Sequence, residues 1–451
     1  MPADSFWNRS IETLPRGELD ALQLERLRRQ VARCYDTSPF YREKFDRAGV
    51  EPRHLQRLSD IGRFPFVTKA ELREEQAAHP PFGRYVLAPQ TAWRELHPSS
   101  GTTGNPVHTV WSAADVDVIT DHTARTMWSF GTRPADVIQN AFSYGLWVAG
   151  LAVHYAAARI GAFCIPAGTA TTPRQIEMMT RVRSSVLLAT PSFGLYIGER
   201  LRETGGPPDL ALRIGCFGGE SGAELPSTRA RLERVLGIDA YDYYGLAEIA
   251  PTFASECTEK AGLHWAEDHY LIEIVDAGTG VPLPPGELGV LVITHLTREA
   301  TPMIRYWTND YARVDPSPCR CGRTHARSPG GIVGRHDDLI VYRGAKFYPA
   351  QVEQAVRGFP ELSDEFRLAL DTDGATGLER CTVIVEAVEQ GTPGLADRVR
   401  DALRDVLLVA PAVQIVPAGS LERTAFKAKR VVDRRRGDDG GPPPAAAGGG
   451  S

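Results

Sequence analysis

VIQNAF (137–142), FCIPA (163–167), SVLLATP (185–191) and LRIGCF (212–217) are four short apolar runs, each separated from the next by a longer stretch. Short apolar runs bounded by Pro, Gly or Ser read as buried strands, and the intervening stretches are long enough to be helices. Strands that alternate with helices return parallel to one another, because a parallel pair needs a long crossover. The region from about Trp93 to Arg313 is therefore predicted to be a layered α/β domain with a partly parallel sheet. Between Leu271 and Val314 the strand patterns LIEIVD, GVLVIT and YARVD crowd together, which predicts an antiparallel or barrel-like subdomain.

The reading extends outward in both directions. Upstream, Leu19 to Arg33 carries Leu22, Leu24, Leu27 and Val31 at roughly helical spacing, broken near Cys34; Pro39, Pro52 and Pro65 then punctuate short segments. Downstream of Gly334 a new unit opens with a strand DLIVYR (338–343), a turn at Gly344 and a helix from Pro349 to Arg357. Strands FRLALD (366–371) and CTVIVEAV (381–388) and a helix ADRVRDALRDVLL (396–408) complete it. The expected organisation is a large domain over residues 1–333 and a small α+β domain over 334–436. A disordered tail is expected over 437–451, where GDDGGPPPAAAGGGS cannot bury enough apolar surface to fold.

Composition narrows the function classes. The chain has 451 residues, with 42% apolar and 24% charged, so it can bury a large core without staples. Lys and Arg number 51 against 56 Asp and Glu, a formal charge of −5 that argues against a dedicated nucleic-acid binder. The most apolar stretch, Tyr144 to Pro166, is interrupted by His154 and Arg159, so no membrane span is expected. The first residues show no apolar signal core, which makes the cytoplasm the expected location. Seven cysteines are too few, and odd in number, for a disulfide framework.

Chemistry enters with Ser99-Ser100-Gly101-Thr102-Thr103-Gly104-Asn105-Pro106, preceded by WRELH (93–97). Small residues let the backbone curl so that successive N–H groups converge on one anion, and the hydroxyls add donors. The segment reads as a phosphate loop, although a plain Ser/Thr/Gly turn has the same composition; the lysine of the Walker pattern is missing. Further along stand Gly218-Gly219-Glu220, Asp242-Tyr243-Tyr244-Gly245-Leu246-Ala247-Glu248 and Arg305-Tyr306-Trp307-Thr308-Asn309-Asp310. Then come Gly334-Arg335-His336-Asp337-Asp338 and Glu422-Arg423-Thr424-Ala425-Phe426-Lys427.

In this order and at these separations the motifs resemble the adenylate-forming superfamily of acyl-CoA synthetases, adenylation domains and luciferases. Five further segments are similar to phenylacetate–CoA ligases: SPFYREKFDRAGV (38–50), FPFVTKAEL (64–72), SECTEKAGLHWAEDHY (255–270), RGAKFYPAQVE (343–353) and LERTAFKAKRVVD (421–433). The resemblance runs from about Cys34 to Asp433. It implies a large adenylate-forming domain followed by a mobile C-terminal domain, and an enzyme that uses ATP, Mg²⁺ and CoA on a small aromatic carboxylic acid. It also leaves room for a homodimer.

The roles that the resemblance implies fall on named residues. Ser99, Ser100, Gly101, Thr102, Thr103 and Gly104 would hold the β- and γ-phosphates, with Ser100 and Thr103 the hydroxyl donors. Glu248 would hold Mg²⁺, which takes few protein carboxylates and keeps waters and phosphate oxygens. Gly219, Glu220 and Asp242 would line the adenine slot, with Tyr243 or Tyr244 against the ring. Asp310 would accept both ribose hydroxyls, since one carboxylate can take two O–H donors. Arg335 would lie near the ribose or α-phosphate, Asp337 at the hinge, and Lys427 at the α-phosphate and acyl carboxylate during adenylation. Phe142, Ser143, Tyr144, Gly145 and Ala247 would form the acyl pocket, whose aromatic and glycine walls suit a flat ring.

Two positions depart from the family pattern. Asn105 stands where the phosphate loop commonly carries Lys, and Phe426 replaces the glycine before Lys427. The second motivates an alternative acceptor for the acyl-adenylate, a carrier-protein phosphopantetheine or an amine; a ligand-binding protein without turnover is the reading from another class. Separately, Cys257, His264, Cys319 and Cys321 make a complete tetrahedral set of the structural zinc kind, with His325 an alternative to His264. Cys34, Cys164, Cys216 and Cys381 read as core thiols.

Overall fold

The computed structural model describes residues 5–99, 106–203, 210–336, 338–343, 345–372, 378–389, 391–423 and 430–435. Ser100, Gly101, Thr102, Thr103, Gly104, Asn105, Asp337, Gly344 with its expected turn, Phe426, Lys427 and the 437–451 tail lie outside the described residues.

The four apolar runs become four adjacent strands of an eight-stranded sheet. Its order is Arg327–Ser328, Leu263–Trp265, Ala250–Ser255, Asp239–Leu246, Ile214–Phe217, Val186–Ala189, Val137–Asn140 and Phe163–Ile165. The last five pair in parallel and the remainder antiparallel. The helices Val148–Ile160, Thr172–Arg181, Pro191–Glu203 and Pro226–Leu236 are the crossovers between the parallel strands. Val186–Ala189 and Ile214–Phe217 are buried at every residue, which explains why they read as unbroken apolar runs without alternation.

The crowded strands form a second, antiparallel sheet of Tyr270–Val275, Gly289–His295, Tyr306–Ala312 and Gly334–Arg335. Gly334 and Arg335, at the start of the expected C-terminal unit, are thus still paired with the sheet of the preceding domain. The helix Arg16–Thr37 runs straight through Cys34. Leu27, Val31 and Cys34 continue one apolar stripe, all fully buried against Tyr41 and Phe45, so the sequence offers no real break there. Ser38 stops it and caps the next helix, its Oγ accepting the Tyr41 amide at 3.3 Å.

The C-terminal domain has its own core. The strands Leu362–Thr372 and Glu379–Ala387 pair antiparallel, with Ala412–Pro417 and Val431–Asp433 parallel on either side. The helix Leu395–Leu407 buries Leu395, Val399, Leu403 and Leu407, every fourth residue, against that sheet. Between the domains, Arg231 pairs with Asp364 at 2.6 Å and donates to the Leu362 carbonyl at 2.7 Å. Arg357 donates to Thr228 Oγ1 at 2.8 Å. Among the described residues no helix is long and apolar enough to cross a membrane.

Candidate active site

Among the described residues, Phe142, Gly218 and Gly219 follow directly on the ends of parallel strands, the place where open α/β sheets leave a crevice. After Phe217 the chain turns through two glycines. A Cβ on Gly218 would lie 2.7 Å from the Tyr243 ring, and one on Gly219, which has φ of +87°, would lie 3.0 Å from the Trp147 ring. Both positions therefore demand glycine. Glu220 follows and accepts the Ser192 amide at 2.9 Å, within the first turn of Pro191–Glu203.

The neighbouring strand, Asp239–Leu246, sends Tyr243 and Tyr244 to opposite faces, as the period of a strand requires. Tyr243 is buried beneath Gly218 with its ring 6.3 Å from Phe142. It is a wall of the core, which leaves Tyr244 as the less buried of the two tyrosines expected near a nucleotide ring. Tyr244 packs 5.2 Å from Phe253 and 6.0 Å from Trp265, and its hydroxyl donates to Asp310 Oδ2 at 2.5 Å. Burial and the adjoining Asp310 carboxylate push this phenol well above its ordinary pKa, so it remains a donor. Asp310 is 3% exposed and sits opposite Arg335 in the strand pairing, with Nη1 3.5 Å from its Oδ1. Three strands thus converge on one buried carboxylate.

Glu248 stands in the turn between Asp239–Leu246 and Ala250–Ser255. That hairpin closes so tightly that a Cβ on Gly245 would lie 1.9 Å from the Pro251 carbonyl oxygen. Glu248 is 5% exposed and lies 2.8 Å from Lys69 Nζ, and the Tyr306 hydroxyl also bonds to it. Neither partner is legible in the motif around Glu248. Lys69 reaches it because Val67 forms a parallel bridge with Tyr306, a pairing no local pattern announces. Thr109 Oγ1 lies 2.8 Å from the His97 carbonyl and 3.2 Å from the Ala247 carbonyl, its one proton shared between them, which ties the turn to the hairpin flanking the serine- and glycine-rich segment. Ser99 closes the neck of that segment: its amide donates to the Val107 carbonyl at 2.7 Å and its Oγ accepts the Val107 amide at 2.9 Å.

A cleft of about 530 Å³ opens beside Asp242, lined also by Glu224, Arg229, Glu256, Gly262 and Gly331. Burial, then Glu224 and Glu256, push the Asp242 carboxyl well above the usual range, against the opposing pull of Arg229. Burial likewise pushes Glu224 up to about 7, outweighing its hydrogen bonds from Ser221 and the Gly222 amide. Glu256 is held by Arg229 in a two-pronged pair at 2.8 and 2.9 Å.

On the acyl side, Phe142 is buried and meets Trp147 edge-on at 5.5 Å. Tyr144 accepts the Asn140 side-chain amide at 2.8 Å and packs 5.8 Å from His154, while Ser143 Oγ accepts the Gly145 amide at 3.2 Å. Trp147, absent from the sequence-based set, is the residue that closes over Gly219. Its only signal in the sequence is adjacency to the aromatic-glycine segment.

Away from this crevice, Cys257, His264, Cys319 and Cys321 are all buried, and their ligand atoms lie within 4.8 Å of one another. Cys257 Sγ is 3.9 Å from Cys319 Sγ, and Cys321 Sγ is 3.6 Å from His264 Nε2. His264 Nδ1 faces the His325 carbonyl at 3.2 Å. His325 faces the Trp265 and Ile11 carbonyls with its two ring nitrogens, at 2.9 and 3.2 Å, and it is His264 whose ligand atom lies with the three cysteines.

Comparison with known proteins agrees with this geometry. The AMP-binding enzyme family matches residues 69–302, and the AMP-binding enzyme C-terminal domain matches residues 344–435. A phenylacetate-coenzyme A ligase of Thermus thermophilus is 37% identical over 448 residues, covering 94% of this chain and 98% of that protein. A structure of 2-hydroxyisobutyryl-CoA ligase in the postadenylation state, in complex with R3-HIB-AMP, superposes with a TM-score of 0.91 at 32% identity. That match covers 96% of this chain and 94% of the other. The same ligase with 2-HIB-AMP and CoA in the thioesterification state gives a TM-score of 0.73 at 32% identity, covering 97% and 94%. The chain belongs to the AMP-binding, adenylate-forming enzymes, in their phenylacetate–CoA ligase-like branch.

Proposed function

We propose that the protein activates an aromatic carboxylic acid of the phenylacetate or benzoate type with ATP and passes the acyl group to CoA. The observation that carries this reading is the carboxylate of Asp310, held by Tyr244 and Arg335, with Tyr306 neighbouring both it and Glu248. Asp310 would accept the ribose hydroxyls, and Glu248, a buried carboxylate beside Lys69, fits the part of an Mg²⁺ ligand. The ion, when bound, would neutralise charge on the leaving pyrophosphate. An acyl carboxylate oxygen attacks the α-phosphorus, pyrophosphate departs, and the thiolate then displaces AMP. No protein nucleophile is needed; positioning and electrostatics carry both steps, with Lys427 the cation assigned to the first.

Trp147 favours a flat ring, since it presents aromatic surface beside Gly219, with the buried Phe142 meeting it edge-on at 5.5 Å. Pyrophosphate release across aromatic, aliphatic and 2-hydroxy acids, each with and without CoA, tests the reading. The expected result is release that requires an aromatic acid and turns over repeatedly only with CoA. Release indifferent to CoA would move the acceptor to a carrier-protein phosphopantetheine or an amine. Preference for 2-hydroxyisobutyrate would replace the aromatic substrate with a branched one.

The four-residue cluster supports a structural Zn²⁺. A Zn–S bond of about 2.3 Å gives a tetrahedral S···S edge of about 3.8 Å. The Cys257–Cys319 separation of 3.9 Å matches that edge. The His325 carbonyl would fix the His264 tautomer with Nε2 toward the metal, the usual second-sphere arrangement.

A further inference from the structure

Two arginines stand on either side of residues 424–429, and each bridges the two domains. Arg423 Nη1 donates to Glu386 at 2.6 Å within the C-terminal domain, while its Nη2 donates to Glu199 at 3.0 Å across the interface. Arg430 Nη1 donates to Glu365 at 2.6 Å, and its Nη2 lies 3.4 Å from Ser192 Oγ. Both cross-domain partners belong to one helix, Pro191–Glu203, near its opposite ends. That helix also presents the Ser192 amide that holds Glu220. The chain entering and leaving the segment that contains Lys427 is therefore fastened to the element that positions Glu220.

The two contacts of Arg423 differ in kind. Glu386 is fully buried and also accepts the Leu421 amide at 2.6 Å and the Ser363 hydroxyl at 2.9 Å, so it anchors Arg423 inside its own domain. Glu199 and Arg423 are each about 15% exposed and meet only while the domains hold their present arrangement. A pair this well shielded keeps an appreciable part of its attraction.

On the reading given under Proposed function, we infer that Glu199 is a positioning residue for acyl-AMP formation. Through Arg423 it holds the C-terminal domain in the present arrangement, which is more similar to a relative's postadenylation state than to its thioesterification state. A group that stabilises one of two arrangements shifts their populations by its differential interaction with them. Loss of Glu199 therefore slows the first step and leaves the second untouched or faster.

The test uses Glu199→Ala and Glu199→Gln in the full-length protein, neither of which disturbs the Arg423–Glu386 anchor. In a single turnover, E199A should form acyl-AMP about 10-fold more slowly, and E199Q, whose amide oxygen still accepts from Arg423, should recover part of the rate. Thioester formation from supplied acyl-AMP and CoA should stay at or above the wild-type rate. Spin labels at Arg181 and Arg404, both exposed, give a readout independent of catalysis. With a non-hydrolysable ATP analogue, E199A should lose interdomain distances that the wild type populates. Equal loss in both half-reactions overturns the inference, as does an unchanged distance distribution. A wild-type protein that releases no pyrophosphate with any acid defeats the functional reading instead, and the distance measurement still decides whether Glu199 holds the domains.

Discussion

Tyr244 shows how one hydroxyl can matter to a site through the carboxylate it holds. Its proton goes to a carboxylate that is 3% exposed, and a hydrogen bond to a charged acceptor in such a place is worth about 1.5–3 kcal/mol. Tyr244→Phe keeps the ring against Phe253 and Trp265 but frees Asp310 to reorient toward Arg335. AMP affinity, measured by calorimetry, should fall about 10-fold, with the melting temperature little changed. Unaltered affinity would mean that Tyr244 does not set the aim of Asp310. Glu224 supplies a second expectation, this one in pH. Its folded pKa of about 7 lies above the ordinary value of 4.5, so its contribution to stability is complete below about 4.5 and lost as pH rises through 7. In urea denaturation, Glu224→Gln should gain stability relative to the wild type between those limits and hold that gain at pH 8. A gap that does not vary with pH would show that the carboxyl is not held protonated. Of the residues named from sequence, Asp310, Arg335, Asp242 and Glu248 are legible because each lies in a compact motif. The meeting of Lys69 and Tyr306 with Glu248, and of Trp147 with Gly219, is not, because packing between distant segments brings them together.

The hairpin from Asp239 to Ser255 and the loop at Cys319–Cys321, distant in sequence, meet at the four-residue cluster. Glu256 accepts the Asp242 amide at 2.9 Å and pairs with Arg229, and the next residue is Cys257. The loop on the other side of the cluster holds the N-terminal segment, where Arg323 pairs with the buried Glu12 at 2.7 Å and Thr324 donates to the Leu14 carbonyl at 2.6 Å. A metal bound by the four ligands would therefore lock three elements at once. Cys319→Ser should purify with less zinc and melt about 5 °C or more lower, because metal bound only to the folded state adds its binding free energy to folding. Full zinc content in that variant would dispose of the metal site. At this level the strands are the most readable elements, since burial on both faces leaves an unbroken apolar run. The helix Arg16–Thr37 misleads at its end, where a cysteine in an apolar stripe looks like an interruption. The pairing of Gly334–Arg335 is invisible in the sequence, since two residues carry no periodicity.

The arrangement of the two domains follows from which charged groups meet across their boundary. Arg231, Arg357 and Arg423 each find a partner on the opposing domain, and Ser227 Oγ lies 3.0 Å from Gln354 Oε1 beside them. The 2-hydroxyisobutyryl-CoA ligase superposes better in its postadenylation state than in its thioesterification state, so the present arrangement of the domains is the more similar to the former. If the second step requires the C-terminal domain to turn, fixing the domains here must separate the half-reactions. Cysteines introduced as Ser227→Cys and Gln354→Cys, joined by a short bis-maleimide, impose that restraint. The native thiols are mostly buried, with Cys164 only partly so, and a control lacking the two new cysteines accounts for their reaction. The linked protein should release a single burst of pyrophosphate, retain acyl-AMP, and make no thioester on addition of CoA. The unlinked double variant should turn over at close to the wild-type rate. Continued turnover in the linked protein would mean that CoA reaches the adenylate without domain rotation, and the contacts of Arg231, Arg357 and Arg423 would then be permanent features of the fold rather than those of one catalytic state.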